Sequence, residues 1–328
     1  MLNVGLIGAG MVSRHHLIGW RSVADRARVV AIADPDADRR HARATEFGIE
    51  HVFAATSEML GALRIDAVDI VAPRQAHAEL VRLCAAHGVA IMCQKPLAPS
   101  LAEAEALVHD IGSQSRLMVH ENWRFRPYYR QIREWLDSGA VGPVRIAAMS
   151  LLSSGLLADG ARPAPALVRQ PFMRDECRML VNEVLIHHLD VLRFLLGPLT
   201  VVSARLARHA EIVGEDTALI QLQARRGALV TLFGSMAVGG YPAASVDRFE
   251  IAGGAGSILL QNLALELRGH ADDARSYDPV TSYQQSYDGA ITHFVEALRS
   301  GDAFETDPAD NLETLRLVED VYRLGTCQ

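Results

Sequence analysis

MLNVGLIGAGMVSRHH, residues 1–16, is an apolar run that passes through two glycines into a polar segment with two histidines. The pattern predicts a buried strand that turns into a helix. Gly8 permits a tight turn, and Gly10 lets the backbone approach a pyrophosphate near the free N–H groups of the helix start. Ser13 stands where a third glycine is usual, and we interpret it as a packing variant. The stretch alone leaves two interpretations open, a dinucleotide site and a plain strand-to-helix turn.

An acidic residue at the end of the next apolar run favours the dinucleotide site. Asp34 follows Gly10 by 24 residues and closes a run that predicts a second strand. A carboxylate at this place accepts hydrogen bonds from the ribose hydroxyls of adenosine and repels a 2′-phosphate. We therefore predict NAD as the cofactor. NADP is the alternative, because Arg39 and Arg40 follow closely.

Composition and charge argue against several classes of protein. The chain has 328 residues, enough for two domains, and 49% hydrophobic with 22% charged residues is typical of a globular protein. A net charge of −7 without a Lys/Arg cluster argues against nucleic acid as a partner. The opening run is too short for a signal peptide, and no apolar stretch approaches membrane length. We expect a cytoplasmic protein with no membrane partner and with reduced thiols at its four scattered cysteines, Cys84, Cys93, Cys177 and Cys327.

Apolar runs alternate with helical patterns over the first 120 residues. Such alternation predicts an α/β fold whose N-terminal part is a Rossmann doubly wound parallel sheet. The predicted strands are 2–7, 28–33, 67–71, 89–93 and 117–120, and the predicted helices are 11–20, 77–87 and 100–110. We predict an NAD(P)-binding Rossmann domain over residues 1–121.

Beyond residue 121 the alternation gives way to consecutive strand patterns. Strands without intervening helices predict a C-terminal α+β domain with an open, mostly antiparallel sheet. The predicted strands are 144–152, 201–209, 218–224, 228–235, 248–252 and 257–260, and the predicted helices are 126–138, 181–196, 289–300 and 308–324. We predict that residues 122–328 bind substrate and form a homodimer or homotetramer through this sheet.

Polar residues follow two of the parallel strands at their carboxyl ends. Ala72, Pro73 and His77 follow the predicted strand 67–71, and Gln94-Lys95-Pro96 follows the predicted strand 89–93. Doubly wound proteins bind ligands at this edge. Lys95 is the only lysine of the chain, and lysine, unlike arginine, titrates near neutrality when it is partly removed from water. Lys95 is therefore a candidate functional residue, with an ordinary surface lysine as the alternative.

The helix predicted over 181–196 carries three polar residues on one face. Glu183, His187 and Asp190 are spaced i, i+4, i+7 in an apolar segment, where polar groups must be paired. A metal site is conceivable but lacks an HExxH motif or a cysteine set. A buried hydrogen-bonded pair and an acid/base site, in which a carboxylate orients His187 to accept a proton, are the other interpretations. We favour the acid/base site and take His188, about 100° away, as structural.

Together these motifs resemble the Gfo/Idh/MocA oxidoreductases over essentially the whole chain. The resemblance rests on the glycine turn followed by His16, the Val-Ala-Pro segment that leads to His77, Gln94-Lys95-Pro96, and the Glu183, His187 and Asp190 set. It implies NAD(P)-dependent oxidation of a sugar or polyol hydroxyl, or reduction of the carbonyl. It also implies that Lys95 contacts substrate and nicotinamide ribose, that His187 is the catalytic histidine, and that neither His15 nor His16 is catalytic.

The motifs and the resemblance give one set of candidate residues. The catalytic candidates are Lys95, His187 and Glu183. The cofactor candidates are Gly8, Gly10, Met11, Val12, Asp34, Arg39, Ala72, Pro73, His77, Gln94, Lys95 and Asn122. The substrate candidates are Lys95, Trp123, Arg124, Glu183 and His187, and no residue is assigned to a metal. The hypothesis is that His187 takes the hydroxyl proton as hydride leaves the same carbon, while Lys95 stabilises negative charge on the oxygen.

Three positions depart from the family pattern. Gln94 replaces a glutamate, which removes a charge beside Lys95, and Glu183 replaces an aspartate. Leu185 stands where glycine is usual, and we expect it to crowd the substrate cleft. Locally, residues 93–98 and 120–124 are similar to the branch of the family that contains D-apiose dehydrogenase. Four arginines at 162, 169, 174 and 178 indicate either an acidic substrate or an interface.

Two other functions stay open at this point. One is a redox-neutral enzyme that retains NAD and carries out elimination or glycoside cleavage. The other is a non-catalytic dinucleotide-sensing regulator, against which the presence of both Lys95 and His187 argues.

Overall fold

The structure, a computed structural model, describes residues 1–113, 115–160, 162–269 and 273–327. Its strands are β1 Leu2–Ile7, β2 Ala27–Ala33, β3 His51–Phe53, β4 Ala67–Ile70, β5 Ala90–Gln94, β6 Leu117–His120, β7 Val144–Leu152, β8 Leu199–Ala207, β9 Thr217–Ala224, β10 Leu229–Ser235, β11 Val246–Gly253, β12 Gly256–Gln261, β13 Ala264–Gly269, β14 Asp273–Ser276 and β15 Gly325–Cys327. Its α-helices are α1 Ser13–Ser22, α2 Ala37–Phe47, α3 Thr56–Ala62, α4 His77–Ala86, α5 Leu101–Ile111, α6 Pro127–Asp137, α7 Pro165–Arg169, α8 Ile186–Leu196, α9 Pro279–Ser300 and α10 Pro308–Leu324.

The chain folds into two compact units, and neither is a continuous stretch of sequence. Unit 1 contains residues 1–126 and 282–313, and unit 2 contains residues 127–281 and the segment from Thr314 onwards. The sequence predicted a single boundary after residue 121. The contacts differ from that prediction because they place residues 282–313, most of α9 and the start of α10, in unit 1.

Unit 1 is built on a parallel sheet, as predicted. Six strands of the described chain pair in the order β3-β2-β1-β4-β5-β6, with every pairing parallel. Strands β4 and β6 are buried along their whole length, which is why their sequences are continuous apolar runs rather than alternating ones. Strand β3 was not predicted, because three partly exposed residues carry too short a pattern.

Helix α9 completes the core of unit 1. Its Ile291 and Phe294 belong to one buried cluster with Val4, Trp20 and Met92 of the N-terminal part. The sequence predicted that this helix begins at Gly289, but it begins ten residues earlier, at Pro279.

A close contact explains why a glycine lies inside this helix. A Cβ on Gly289 would lie 3.2 Å from the Cβ of Phe125, so the missing side chain lets α9 approach the segment after β6. The glycine therefore serves packing and does not end the helix.

Unit 2 is built on the predicted open and mostly antiparallel sheet. Nine strands of the described chain lie in the order β14-β13-β12-β11-β7-β10-β9-β8-β15, and parallel pairing occurs between β7 and β10 and between β8 and β15. Burial alternates along β9, so one face of the sheet is covered by the unit. The other face exposes apolar side chains: Ile146, Val202, Leu219 and Leu229.

Two of these exposed residues are direct neighbours across strands. Ile146 of β7 pairs with Leu229 of β10, and the two side chains are 53% and 61% exposed. In the described part of the chain, no helix has the length and apolar character needed to cross a membrane.

Candidate functional site

The glycine turn links β1 to α1 in unit 1. Gly8 has φ +103°, and a Cβ there would lie 2.8 Å from the backbone N of Ala72 and from the backbone carbonyl carbon of Val71. A side chain at Gly8 would therefore collide with the end of β4. A Cβ on Gly10 would meet nothing within 4 Å, so the turn faces open space at that residue.

The start of α1 fits an anionic ligand. Val12 occupies the cap position, and among the described residues no side chain caps this helix end. The first N–H groups of a helix attract anions, and a pyrophosphate satisfies them. Met11, the first residue after the turn, is 54% exposed and leaves the backbone accessible.

Asp34 fastens the glycine turn. Its Oδ2 accepts a hydrogen bond from the Ala9 N–H at 2.6 Å, and its Oδ1 accepts one from the Asp36 N–H at 2.8 Å. A carboxylate has about four acceptor sites, so Asp34 keeps capacity for the two hydroxyls of a ribose. The predicted acid therefore holds the turn and also lines a cavity.

A cavity of about 310 Å³ lies next to Asp34 and the glycine turn within unit 1. Five predicted cofactor residues line it: Gly8, Asp34, Arg39, Ala72 and Pro73. Its size lies at the lower end of small-molecule pockets, which suits the adenosine part of a dinucleotide. The residues present therefore fit NAD. Arg39 and Asp36, which both line the cavity, form an ion pair at 3.1 Å.

Ser13 does more than pack. It is fully buried, its Oγ donates to the carbonyl of Gly10 at 2.6 Å, and Arg43 Nε donates to that Oγ at 3.0 Å. The expectation of a mere packing variant was incomplete, because the hydroxyl joins the glycine turn to α2.

His77 is buried between the segments that follow two parallel strands. It is 1% exposed, and its ring nitrogens contact two carbonyl oxygens, of Pro96 at 2.8 Å and of Ala72 at 2.9 Å. Burial lowers the pKa of His77, while its hydrogen bonds to the two carbonyl oxygens act in the opposite direction and raise it. The ring thus joins the segments that follow β4 and β5, and its contact with cofactor stays a prediction.

The two predicted amides also lie inside unit 1. Asn122 is buried, and its Nδ2 donates to Ser286 Oγ of α9 at 2.7 Å. Gln94 places its side-chain amide against two buried histidines, His16 and His120. The cavity lining contains neither amide.

Lys95 follows Gln94 at the carboxyl end of β5 and is half-buried. Removal from water lowers the pKa of Lys95 to about 8, although the nearby Glu121 carboxylate raises it; the Arg74 guanidinium lowers it further. The Lys95–Pro96 peptide bond is cis. The only lysine of the sequence therefore titrates close to neutral pH at the ligand-binding edge of a Rossmann sheet.

The two residues after Asn122 differ in their surroundings. Trp123 is partly exposed and carries the guanidinium of Arg126 over its ring at 3.6 Å. Arg124 is buried, and its guanidinium donates hydrogen bonds to Asp310 at 2.7 Å and to the Glu305 carbonyl at 3.0 Å. These contacts hold the segment that leads into α10 and give Arg124 a structural role, and its contact with substrate stays a prediction.

In unit 2, a π-helix precedes the predicted catalytic histidine. The sequence predicted one α-helix over 181–196, but residues Leu180–Leu185 form a π-turn and α8 begins at Ile186. Glu183 lies on the π-turn and is partly exposed, while His187 is 9% exposed. Single π-turns inside helices are frequent at functional sites.

Glu215 anchors the start of this π-turn. Its Oε1 accepts from the Val181 N–H at 3.0 Å and from the Tyr322 hydroxyl at 2.6 Å. A carboxylate at a helix start satisfies N–H groups that have no partner within the helix. Burial and the Glu215 carboxylate raise the pKa of Tyr322 well above its usual range, so this hydroxyl stays a donor.

His188 and Asp190 of α8 have structural contacts. His188 Nε2 lies 3.0 Å from Asp247 Oδ1, and Asp247 also accepts from the Tyr129 hydroxyl at 2.6 Å. Asp190 is fully buried and accepts from Thr314 Oγ1 at 3.1 Å. The assignment of His188 as structural fits these contacts, and Asp190 is directed to α10.

Leu185 does not crowd a cleft, contrary to expectation. It is fully buried in unit 2, and a Cβ on Gly234 of β10 would lie 2.9 Å from its Cδ2. The missing side chain of Gly234 makes the space that Leu185 fills. Of the four arginines, Arg178 pairs with Glu319 at 2.8 Å and covers the ring of Tyr322, which is a structural role.

Sequence reasoning missed three buried carboxylates, two in unit 1 and one in unit 2. Asp69, fully buried on β4, accepts from Trp20 Nε1 at 2.7 Å and contacts His16 Nδ1 at 2.8 Å. Glu121 and Glu215 were also missed. A carboxylate inside the apolar run Ala67–Ile70 was a signal, because such groups are rarely buried unless paired.

The parallel sheet, the glycine turn and its aspartate define unit 1 as a dinucleotide-binding domain of the Rossmann class, and unit 2 is an open-sheet domain. Comparison with protein families matches residues 2–121 to the Gfo/Idh/MocA oxidoreductase family with NAD-binding Rossmann fold, and residues 129–259 to the Gfo/Idh/MocA C-terminal domain. The chain belongs to the Gfo/Idh/MocA family of oxidoreductases. The predicted family, fold class and NAD-binding character are thereby confirmed.

Characterised relatives span nearly the whole chain. D-apiose dehydrogenase of Paraburkholderia graminis is 34% identical over 97% of this chain and 86% of its own length. Inositol 2-dehydrogenase of Rhizobium meliloti is 27% identical over 97% of this chain and 95% of its own length. A crystal structure of an oxidoreductase from Agrobacterium radiobacter in complex with NAD⁺, L-tartaric acid and magnesium is 31% identical, with a TM-score of 0.88 over 98% of this chain and 95% of that one.

Proposed function

We propose that this chain is an NAD-dependent dehydrogenase that oxidises a hydroxyl of a sugar or polyol, or reduces the corresponding carbonyl. The observation that carries the proposal is the pair of features in unit 1, the Asp34-clamped glycine turn with its cavity and the half-buried Lys95 at the same strand edge. The named activities of the apiose and inositol dehydrogenases support the substrate class.

NAD is the cofactor that these residues suit. Asp34 faces the cavity with acceptor capacity to spare, and a carboxylate there disfavours the 2′-phosphate of NADP. Gly8, Gly10, Met11 and Val12 would hold the pyrophosphate end. When bound, the nicotinamide accepts hydride from a substrate carbon or returns it.

The chain itself supplies proton handling and charge. His187 takes the proton of the hydroxyl, with Glu183 as the carboxylate that orients it. Lys95, as a cation, donates a hydrogen bond to the same oxygen and stabilises the negative charge that develops there. These three roles, together with substrate contact by Trp123, are proposals from the residues and their family resemblance.

Unit 1 would bind the cofactor, and unit 2 would bind substrate and pair with a second copy. The outer face of the nine-stranded sheet supports this proposal because it exposes Ile146 beside Leu229, a pair that an interface would cover. We propose a homodimer or homotetramer. We also propose a cytoplasmic location, where thiols stay reduced, because Cys84 and Cys93 are buried free thiols and Cys177 is an exposed one. Ile146→Asp should lower the molar mass measured by light scattering, and an unchanged oligomer would contradict this assignment.

A substrate panel tests the proposed activity. Purified enzyme is mixed with NAD or NADP and with D-apiose, myo-inositol, common aldoses or polyols, and NADH absorbance is followed. Accumulation of NADH with one class of substrate supports the proposal. Product formed without NADH would establish the redox-neutral reaction, and NAD binding without turnover of any substrate would favour a regulator.

Lys95→Ala is the matched variant for this panel. We expect it to abolish turnover while NAD affinity stays within about threefold, because Lys95 does not line the adenosine cavity. Activity that survives the substitution would refute the role given to Lys95.

A further inference from the structure

Gln94 occupies an unusual place, between a backbone N–H and two buried rings. Its Oε1 accepts from the N–H of Lys95 at 3.1 Å, while its Nε2 lies 2.8 Å from His16 Nε2 and 3.1 Å from His120 Nδ1. Residues 94 and 120 face each other in the register of β5 and β6. The amide therefore bridges the ends of two strands and the helix α1.

The Lys95 N–H determines how this amide is oriented. A backbone N–H can only donate, so the amide atom next to it must be the oxygen. The other amide atom is then the NH₂ group, which can only donate. The reversed orientation would place two donors against each other at 3.1 Å.

This orientation settles where the protons of both histidines lie. His16 Nε2 and His120 Nδ1 must accept from the amide and so carry no proton. His16 then has its proton on Nδ1, which matches the 2.8 Å contact of that atom with Asp69 Oδ2. His120 has its proton on Nε2, and both rings are neutral.

The packing of the His16 and His120 rings also disfavours a positive charge on both of them. The ring centroids of His16 and His120 are 4.2 Å apart, and both side chains are fully buried. Tyr287 of α9 contacts both rings, at 5.2 Å from each centroid. Two cations at this separation, away from water, would repel strongly.

Lys95 is directly attached to this neutral network. Its N–H is held by Gln94, and the next residue after His120 is Glu121, the carboxylate that acts on Lys95. Among the described residues, Glu121 and Arg74 act electrostatically on Lys95, and Asp69 contacts His16.

We propose that Gln94 is a positioning residue, whose amide holds His16 and His120 in single neutral tautomers so that neither ring nor residue 94 carries a charge beside Lys95. A carboxylate at residue 94 would place a negative charge there and would require donors from both rings. The consequence is that residue 94 adds no negative charge that would oppose the lowering of the Lys95 pKa by burial. The importance of this for catalysis rests on the function proposed above, but the protonation itself does not.

The single lysine of the chain makes the test direct. Protein grown with ¹³C-labelled lysine gives one Lys Cε signal, whose titration reports Lys95 without substrate or cofactor. We expect a midpoint near pH 8 in the wild type. In Gln94→Glu the midpoint should rise by about one pH unit or more, because a nearby negative charge favours the ammonium form.

Gln75→Glu is the matched control, with the same change of charge at an exposed residue next to Arg74. Solvent screens that charge, so the Lys95 midpoint should move by no more than about 0.3 unit. An unchanged midpoint in Gln94→Glu, or equal shifts in both variants, would overturn the proposal. A failed substrate panel would leave these titrations unaffected, so the two hypotheses fail separately.

A second measurement covers the case in which Gln94→Glu does not fold. In wild-type protein with ¹⁵N-labelled histidine, ring nitrogen shifts distinguish the two neutral tautomers from imidazolium. Proton contacts between the two rings and Tyr287 identify the signals. We expect Nδ1–H for His16 and Nε2–H for His120 at neutral pH, and an imidazolium in either ring would overturn the proposal.

Discussion

Leu185 and Gly234 should behave as one packing unit, and a double-mutant cycle tests this. Leu185 is fully buried, and replacing it with alanine leaves a cavity against β10. A buried leucine replaced by alanine lowers the free energy of unfolding by about 2–5 kcal/mol. Gly234→Ala adds a Cβ at 2.9 Å from Leu185 Cδ2 and 3.2 Å from Cδ1, which overfills the same space at a cost of about 1–3 kcal/mol.

The double variant should recover part of these losses. The new methyl group of Gly234→Ala enters space that Leu185→Ala vacates, so the combined cost should be smaller than the sum. We expect a coupling free energy of about 1–2 kcal/mol, within the range measured for residues in contact.

Equilibrium urea unfolding of the four proteins, followed by circular dichroism, measures the free energies of unfolding. Additivity of the two single costs to within about 0.5 kcal/mol would refute the packing argument. The substrate panel gives an independent check. Because Leu185 lies in the core of unit 2, Leu185→Ala should keep the wild-type order of substrates, whereas a changed order would restore the idea that Leu185 shapes the pocket.

Other substitutions separate the roles of individual residues. Asp34→Ala should raise the dissociation constant for NAD at least about tenfold in calorimetric titration, since the turn and the ribose both lose an acceptor; unchanged affinity would contradict this. Lys95 loses its positive charge as the pH rises through about 8, so kcat/KM should fall above that pH, and a profile that keeps rising through pH 9 would show that the cation is not needed. Arg124→Met should cost about 2–4 kcal/mol of stability by removing the ion pair between the buried Arg124 and Asp310, while KM stays within about threefold; a large rise in KM at unchanged stability would return Arg124 to the substrate site. Glu215→Gln should lower the free energy of unfolding by about 1–2 kcal/mol and should lower kcat more than it lowers NAD affinity. Equal losses in kcat and in NAD affinity would argue against a role limited to the π-turn.

The part of the site that sequence reasoning predicted well is encoded over short distances. Gly8 and Gly10 belong to one turn, and Asp34 ends the neighbouring strand, so the geometry of a strand, a turn and a helix nearly determines their positions. The parallel and antiparallel sheets were predictable for the same reason, because burial on one or two faces leaves a repeating apolar pattern.

The part that was not predicted depends on partners far apart in the chain. Gln94 was expected at the cofactor, but α1 and β6 bring His16 and His120 to its amide instead. Similarly, a glycine normally signals the end of a helix, and only the contact with Phe125 explains why Gly289 lies inside α9. A single sequence contains no record of such long-range contacts, so residue type and local spacing cannot reveal them.

The interlaced order of the two units has a consequence for synthesis on the ribosome. Unit 1 begins with the first residue, but its core lacks Ile291 and Phe294 until nearly the whole chain has been made. A nascent chain that ends near residue 121 would expose the apolar surface that α9 covers. The NAD-binding unit should therefore be a poor candidate for expression as an isolated N-terminal fragment, and in the cell its folding would be among the last events of translation.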